Sequence, residues 1–386
     1  HDVTLNNAGN DFAGAVTATG GSVSLADANA LAVHLGAANA ALSAGGALTV
    51  DGSTTGALAA TGGGIAFGAA STTVGGALTA TSTGAVTQSG DLAVAGTTTI
   101  DAAGQSVALA RQGNHLGGAV TVAAAAADIE QAGALTAHLN NVGSAVLASG
   151  AGLAVDGTST GNVTASGGTV TFGGATTVGG NLAATSSAGD ITQAAALAVT
   201  GSSALQAGTG NVDLTNAGNA LAGAVTAGGA DVTLVDAAPL TAHVAANGSA
   251  ALTSSGALSV DGSSGAMTLD GTAVSFGAGG TTVDGALTVG ATGVTQAGTL
   301  AVTGPSQFNA GAGDILLDSP GTNLQGAISA TGHAIRLTDA HAIDATLVAS
   351  GDVVLSSTGD VTAQGTFDGG LKATGARIAL AVGAGA

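Results

Sequence analysis

The sequence predicts an all-β protein, a right-handed parallel β-helix (β-solenoid). Three observations favour this fold class. A unit of about 104 residues recurs along the chain, apolar and polar residues alternate within short segments, and glycine is abundant while aromatic residues make up only 2% of the chain. Repetition at a long fixed period is typical of solenoids, whose stacked units share one core. The prediction is a single continuous β-solenoid over residues 1–386.

The repeat is clearest in a phrase that begins at Val3 and returns at Val107, at Val212 and, more loosely, at Ile315. The steps between these positions are 104, 105 and 103 residues. Three phenylalanines, Phe67, Phe172 and Phe276, keep nearly the same steps. The period divides the chain into four super-repeats, the last of them partial, at residues 1–104, 105–209, 210–312 and 313–386.

Each super-repeat divides again into shorter segments. In the first copy, strand-like openings occur near Val3, Val23, Leu42, Ile65 and Val86, with Gly-rich breaks between them. Apolar residues alternate within these segments, and a period of two indicates strands rather than helices. Five sub-repeats per copy predict about 18 turns of roughly 21 residues. The three phenylalanines should then lie inside the core, pointing the same way at intervals of about 24 Å.

The composition excludes several classes of protein. The chain has 68 glycines, no Trp, Tyr or Cys, and a formal charge of −19 from four basic and 23 acidic residues. A nucleic-acid partner is excluded because phosphate binding needs clustered Lys and Arg. The absence of cysteine excludes disulfides and thiolate metal sites. No run of about 18 apolar residues is present, so we do not expect a membrane-embedded protein.

Two repeated features suggest metal sites, but each has a structural interpretation that we favour. His34, His138 and His243 recur at the super-repeat period and would lie too far apart to share one zinc ion. The Asp-Gly pairs at residues 51–52, 156–157 and 261–262 suggest calcium, but Asp-Gly is also a strong turn signal. Dense calcium-binding nonapeptides are missing. We expect no metal and no cofactor.

A polysaccharide-cleaving enzyme on the same fold would need paired carboxylates. The chain has no Asp-Asp pair, and Glu130 is its sole Glu. The densest charged patch along the sequence lies in the divergent last copy and comprises Arg336, Asp339, His341 and Asp344. Divergence of a last repeat explains that patch equally well, so we predict no catalytic residues and no enzyme activity.

Three stretches resemble the repeats of filamentous-haemagglutinin-type adhesins: residues 7–18 (NAGNDFAGAVTA), residues 313–317 (GDILL) and residues 351–363 (GDVVLSSTGDVTA). The resemblance implies an extracellular protein, secreted or on the bacterial cell surface, exported by two-partner secretion through an outer-membrane transporter. It carries no catalytic motif. Autotransporter passenger domains share the architecture and remain an alternative export route.

The sequence and the resemblance together predict a structural rod segment of a large surface adhesin. The rod would adhere to a host or neighbouring cell, or present a tip domain. A polysaccharide-binding or polysaccharide-degrading β-helix protein is the alternative. Natural solenoids carry polar caps, whereas this sequence opens on a strand pattern at Val3 and closes on one at residues 378–382. We therefore expect either a segment of a longer rod or end-to-end stacking of copies.

Overall fold

The computed structural model describes residues 1–102 and 104–384, which form 45 strands and no helix. Every strand register in this part of the chain is parallel, for example where Val3 pairs with Val23 one turn later. The predicted all-β parallel solenoid is therefore confirmed. It has about 21 turns at a spacing of about 18 residues, so the turns are more numerous and shorter than predicted. The described residues include no helix long and apolar enough to cross a membrane.

By contacts, the chain divides into two compact units, residues 1–189 with 193–195, and residues 190–192 with 196–386. The strands of the first unit are β1 (Val3–Leu5), β2 (Val16–Asp27), β3 (Leu31–Ala44), β4 (Ala47–Thr54), β5 (Leu58–Gly62), β6 (Gly64–Val74), β7 (Leu78–Ser82), β8 (Val86–Gln88), β9 (Leu92–Val94), β10 (Thr98–Asp101), β11 (Ser106–Ala110), β12 (His115–Leu116), β13 (Val120–Ala123), β14 (Ala126–Gln131), β15 (Leu135–Val142), β16 (Ser144–Ser149), β17 (Gly152–Ser159), β18 (Val163–Gly167), β19 (Thr169–Val178) and β20 (Leu182–Ser186).

The remaining strands are β21 (Ile191–Gln193), β22 (Leu197–Val199), β23 (Ser203–Gln206), β24 (Val212–Leu214), β25 (Ala220–Leu221), β26 (Val225–Gly229), β27 (Val232–Asp236), β28 (Leu240–Ala246), β29 (Ser249–Ser254), β30 (Ala257–Ser264), β31 (Ala266–Asp270), β32 (Ala273–Val283), β33 (Leu287–Gly290), β34 (Val294–Gln296), β35 (Leu300–Val302), β36 (Ser306–Asn309), β37 (Ile315–Leu317), β38 (Asn323–Leu324), β39 (Ile328–Gly332), β40 (Ile335–Asp339), β41 (Ile343–Ala349), β42 (Val353–Ser357), β43 (Val361–Phe367), β44 (Leu371–Thr374) and β45 (Ile378–Ala384).

The alternation seen in the sequence places side chains on the two faces of each strand. In β7, Leu78 and Ala80 are buried while Thr79 and Thr81 are exposed. Successive side chains of a strand point to opposite faces, so a period of two separates core from surface. β-Branched threonines suit the outer face because they pack well on a pleated surface.

Two long ladders of parallel pairs run through the first unit. The first ladder joins, turn by turn, Val3, Val23, Ala40, Leu58, Leu78, Thr98, Val120, Ala137, Val155 and Phe172. The second ladder joins Leu31, Leu48, Ile65, Val86, Val107, Ala127, Ala145, Val163 and Leu182. Nearly all of these side chains are buried, so both ladders contribute to one core.

The prediction that the repeated phenylalanines point the same way is wrong. Phe67 lies beside Ile65 on the second ladder, whereas Phe172 ends the first. Five steps lead along the second ladder from Ile65 to Val163, and Phe172 follows on the other ladder of the same turn. The first super-repeat therefore contains about five and a half turns, not five, and the first two copies present equivalent residues on different ladders.

The second unit shows the same alternation between the third and fourth copies. Ala242 continues through Val260 to Phe276 on one ladder. Its counterpart in the next copy, Ala345, follows Ile328 and precedes Ala363 on the other. The expectation that the phenylalanines lie inside is confirmed, since Phe67, Phe172 and Phe276 are each 0% exposed.

Acidic and amide side chains hold successive turns together at one corner of the second unit. The backbone N–H of Asn211 donates to Asp190 Oδ1 (2.7 Å), that of Asp231 to Asn211 Oδ1 (3.1 Å), and that of Ser249 to Asp231 Oδ1 (2.6 Å). The backbone and hydroxyl hydrogen bonds from Ser249 lower the pKa of the Asp231 carboxyl. Many of the chain's acids therefore serve the stacking of turns, a task for which the short Asp side chain is suited.

Candidate functional site

The repeated histidines and the repeated Asp-Gly aspartates come together in pairs, one pair in each of the first three copies. His Nδ1 lies 2.7 Å from an Asp Oδ1 in His34–Asp51, 2.5 Å in His138–Asp156 and 2.6 Å in His243–Asp261. The two residues of a pair are directly opposite each other on adjacent turns, and both point outward.

The fourth copy keeps this contact without the charges. Gln364 Nε2 donates to Thr346 Oγ1 over 3.0 Å, and the two residues are again opposite each other on adjacent turns. A contact that survives the loss of both imidazole and carboxylate serves mainly to join turns. Even charged pairs contribute little stability at exposed sites, about 0–1 kcal/mol, so the gain lies in fixing the register of neighbouring strands.

The Asp-Gly pairs lie inside continuous strands rather than in turns between strands, and each pair faces a β-bulge in the strand of the following turn. Gly52, Gly157 and Gly262 have φ of +94°, +95° and +110°, and the pairing shifts register beside each of them. The predicted turns at these pairs are therefore wrong. Opposite each aspartate the following strand contains extra residues, such as residues 68–71 opposite Asp51, and such a bulge does not end the strand.

Within residues 1–102 and 104–384, no three His, Cys, Asp or Glu side chains are grouped so that they could hold a metal ion. His34 and His138 also lie on different ladders of the first unit, so they present their rings on different faces. The arrangement therefore consists of separate pairs.

Each copy also contains a buried polar cluster where the chain turns between ladders. In the second copy Asn114, which is 3% exposed, accepts a hydrogen bond from Leu92 N (2.9 Å) and donates to the carbonyls of Leu109 (2.8 Å) and Glu130 (3.0 Å). Its amide also exchanges hydrogen bonds with Gln88, at 2.7 and 2.9 Å. One buried amide thus joins three consecutive turns.

The cluster includes a second buried group, which is Gln131 in this copy and an aspartate in the others. Asp236, which is 1% exposed, accepts hydrogen bonds from Leu221 N (2.8 Å) and Ala238 N (2.7 Å), and Asp339 is bound in the same way. Burial raises the pKa of both carboxyls, and the backbone donors oppose that rise.

We expect Asp236→Asn to change how stability depends on pH. A folded-state pKa above the unfolded value of 3.8 means that the folded chain takes up the proton first. The stability that this proton uptake contributes is fully present below the unfolded pKa, and it is lost as pH rises through the folded pKa. The variant should therefore lose less stability than the native chain as pH rises from about 3.8, measured as urea midpoints between acid and neutral pH. Asp213→Asn, at an exposed site, is the control. An unchanged pH dependence in Asp236→Asn would contradict the assignment.

The charged patch predicted in the last copy does not assemble into a site. Asp339 is 2% exposed and bound to backbone N–H groups of Leu324 and His341. Arg336 pairs instead with Asp318, at 3.5 Å between Nη1 and Oδ2. Asp344 is exposed on β41. The carboxylates therefore do not face a common groove.

A surface site that the sequence analysis missed lies in the first unit, and we call it the mixed-charge cleft. It comprises Asp91, Arg111, Gln112 and Glu130, which line two adjoining open depressions of about 510 and 320 Å³ that share Gln112 and Glu130. Arg111 Nε donates to Asp91 Oδ1 over 2.8 Å, and both side chains are partly exposed. Glu130 stands between alanines of the turns before and after it, which leaves space around its carboxylate.

Comparisons with known proteins yield one family. No curated protein and no solved structure matches the chain. A family model described as repeats of unknown function (DUF5649) matches residues 1–19, 55–123, 160–228 and 264–331. The longer matches begin 105 and 104 residues apart, which is the period of the super-repeat. Because the matches cover more than half of its length, the chain belongs to the family of DUF5649 repeats of unknown function.

Proposed function

We propose that the chain is a structural segment of a secreted bacterial surface adhesin, which carries an adhesive part away from the cell or adheres through its own faces. The observation that carries the proposal is that repeated polar side chains on the surface bind to the neighbouring turn. In all four copies, an outward pair at this position joins one turn to the next, as His34 joins Asp51 and Thr346 joins Gln364. A surface devoted to stacking suits a spacer.

The resemblance to filamentous-haemagglutinin repeats supports the rest of the proposal. The protein would be extracellular, an outer-membrane transporter would export it, and the partners would be a host or neighbouring cell or further copies stacked end to end. The acidic surface, with a formal charge of −19, supports solubility and argues against nucleic acid. Catalysis is not part of the proposed role.

The spacer role is tested by removing one super-repeat. Deleting residues 105–209 joins residue 104 to residue 210, which begins the next copy in the same local context. The shortened chain should fold and should bring an epitope carried at its far end closer to the cell by about 26 Å, the rise of five and a half turns. Electron microscopy of gold-labelled, surface-displayed chains measures that distance.

Circular dichroism of the purified deletion variant provides the control for folding. An epitope distance that does not change in a folded variant would count against the spacer role. Release of sugar fragments from polysaccharides by the native chain would favour the enzyme alternative.

One observation supports polysaccharide binding as a second function, namely the mixed-charge cleft.

A further inference from the structure

We propose that the mixed-charge cleft binds a neutral, hydroxyl-rich saccharide. The proposal adds a ligand site to the structural segment and does not depend on the spacer role. Its basis is a comparison of the copies with one another, together with the chemistry of the four side chains.

The fold does not require the four polar residues of the cleft. In the next copy the positions of Asp91, Arg111, Gln112 and Glu130 are taken by Ala196, Asn216, Ala217 and Val235. In the copy after that they are taken by Thr299, Ser319, Pro320 and Thr338. Both copies form the same strands and the same buried polar cluster. The third and fourth copies fold without charged residues at these positions. The charges of the cleft therefore have a purpose other than stability.

The scaffold beneath the cleft holds these residues in place. Asn114 follows the loop that carries Arg111 and Gln112, and its buried side chain binds Leu92 N, beside Asp91, and the carbonyl of Glu130. The three turns that contribute to the cleft are thus connected through one amide. A site built on connected strands is more rigid than one carried by a free loop, and less entropy is lost when a ligand binds.

The side chains offer donors and acceptors next to each other. Asp91 binds Arg111 through Nε. Arg111 lines the cleft, and its guanidinium Nη groups are further donors that it can offer to a ligand. The Glu130 carboxylate accepts, and the Gln112 amide does both. Adjacent hydroxyl groups of a sugar both donate and accept, which matches this mixture.

The net charge of the cleft further restricts the class of ligand. Two carboxylates and one guanidinium leave the cleft with one excess negative charge, which disfavours uronic acids, sulfated sugars and phosphates. A lysine-rich peptide would gain from the carboxylates but would meet Arg111 in the middle of the cleft. A neutral saccharide avoids both penalties.

Affinity for a single chain should be weak. The chain has no Trp or Tyr, so a sugar ring cannot stack on a large aromatic face. We expect a dissociation constant on the order of 1 mM for one site, and many copies acting together should bind more tightly than one copy does. The experiment must therefore detect weak binding.

The test uses the full chain, labelled with ¹⁵N, and chemical-shift titrations with neutral hexose oligosaccharides, oligouronates and a lysine-rich peptide. Neutral oligosaccharides should shift the resonances of residues 110–113 and 130. Glu130→Val and Arg111→Asn, which introduce the residues of the third copy, should each weaken binding at least tenfold. Asp128→Thr removes a charge from the same strand outside the cleft, introduces the third-copy residue Thr233, and should leave binding unchanged.

Two outcomes overturn the proposal: no shift with any neutral oligosaccharide, or shifts that survive both cleft variants. Binding of the lysine-rich peptide alone would overturn the ligand class. As a gain-of-function test, the cleft residues are transferred to the third copy by Ala196→Asp, Asn216→Arg, Ala217→Gln and Val235→Glu. This chain should bind a second saccharide, and one saccharide per chain would contradict the proposal. A negative result leaves the spacer role intact, since that is tested by epitope distance.

Discussion

Replacing Gly157 with alanine should destabilise the first unit by about 3 kcal/mol or more. Gly157 has φ of +95°, a conformation that strains any residue with a side chain. An added Cβ would also lie 2.1 Å from the carbonyl oxygen of Leu139 on the neighbouring strand. Backbone cannot move aside there without breaking the pairing of β15 with β17. The loss should be seen as a lower urea midpoint and as faster amide hydrogen exchange around residues 135–159.

Gly173 provides the matched control in the same unit. A Cβ at Gly173 would meet nothing within 4 Å, and its φ lies outside the left-handed region. Gly173→Ala should therefore change the urea midpoint little. Equal losses in the two variants would show that Gly157 is not a strained, close-packed position.

Asn114→Ala is the second substitution with a large expected effect. It leaves Leu92 N–H without its acceptor and removes the amide partner of Gln88 in the buried cluster. Each buried polar group left unsatisfied costs about 1–3 kcal/mol, so we expect a total loss of about 3 kcal/mol. Hydrogen exchange should accelerate in three consecutive turns, because Asn114 connects them.

The fourth copy supplies a milder variant for comparison. Thr322 occupies the position of Asn114 there, and its hydroxyl exchanges hydrogen bonds with Gln296 at 2.9 and 3.0 Å. Asn114→Thr should therefore keep the contact with the neighbouring glutamine and lose only part of the stability. Equal losses of stability in Asn114→Thr and Asn114→Ala would show that the hydrogen bonds with the glutamine do not stabilise the cluster.

The sequence predicted strands and their parallel stacking because alternation and the long period are both visible in one dimension. It did not predict the number of turns, because β3 (Leu31–Ala44) passes from one ladder to the other without a Gly-rich break. The openings at Leu42 and Ile65 are therefore not one turn apart. Leu42 pairs with Ala60, and Ile65 already belongs to the second ladder.

Because the turn length was wrong, the sequence analysis also missed the His–Asp pairs and the mixed-charge cleft. His34 and Asp51 are 17 residues apart, which is one turn of the actual solenoid, whereas a turn of roughly 21 residues would have placed Thr55 opposite His34. Asp91, Arg111 and Glu130 are likewise separated by 20 and 19 residues. Contacts between side chains one turn apart can be predicted from the sequence only when the turn length is known. In this chain the turn length varies with each bulge and corner.

The half-turn left over by a super-repeat determines how the two copies within one unit are presented to a partner. In the first unit the His34 pair stands on the second ladder and the His138 pair on the first, so consecutive copies display equivalent groups in different directions. A flat partner surface that touches one copy leaves the equivalent groups of the next copy turned elsewhere. An arrangement of this kind supports bridging within the first unit: the groups of the first copy are available to one surface, and the equivalent groups of the second copy are available to another.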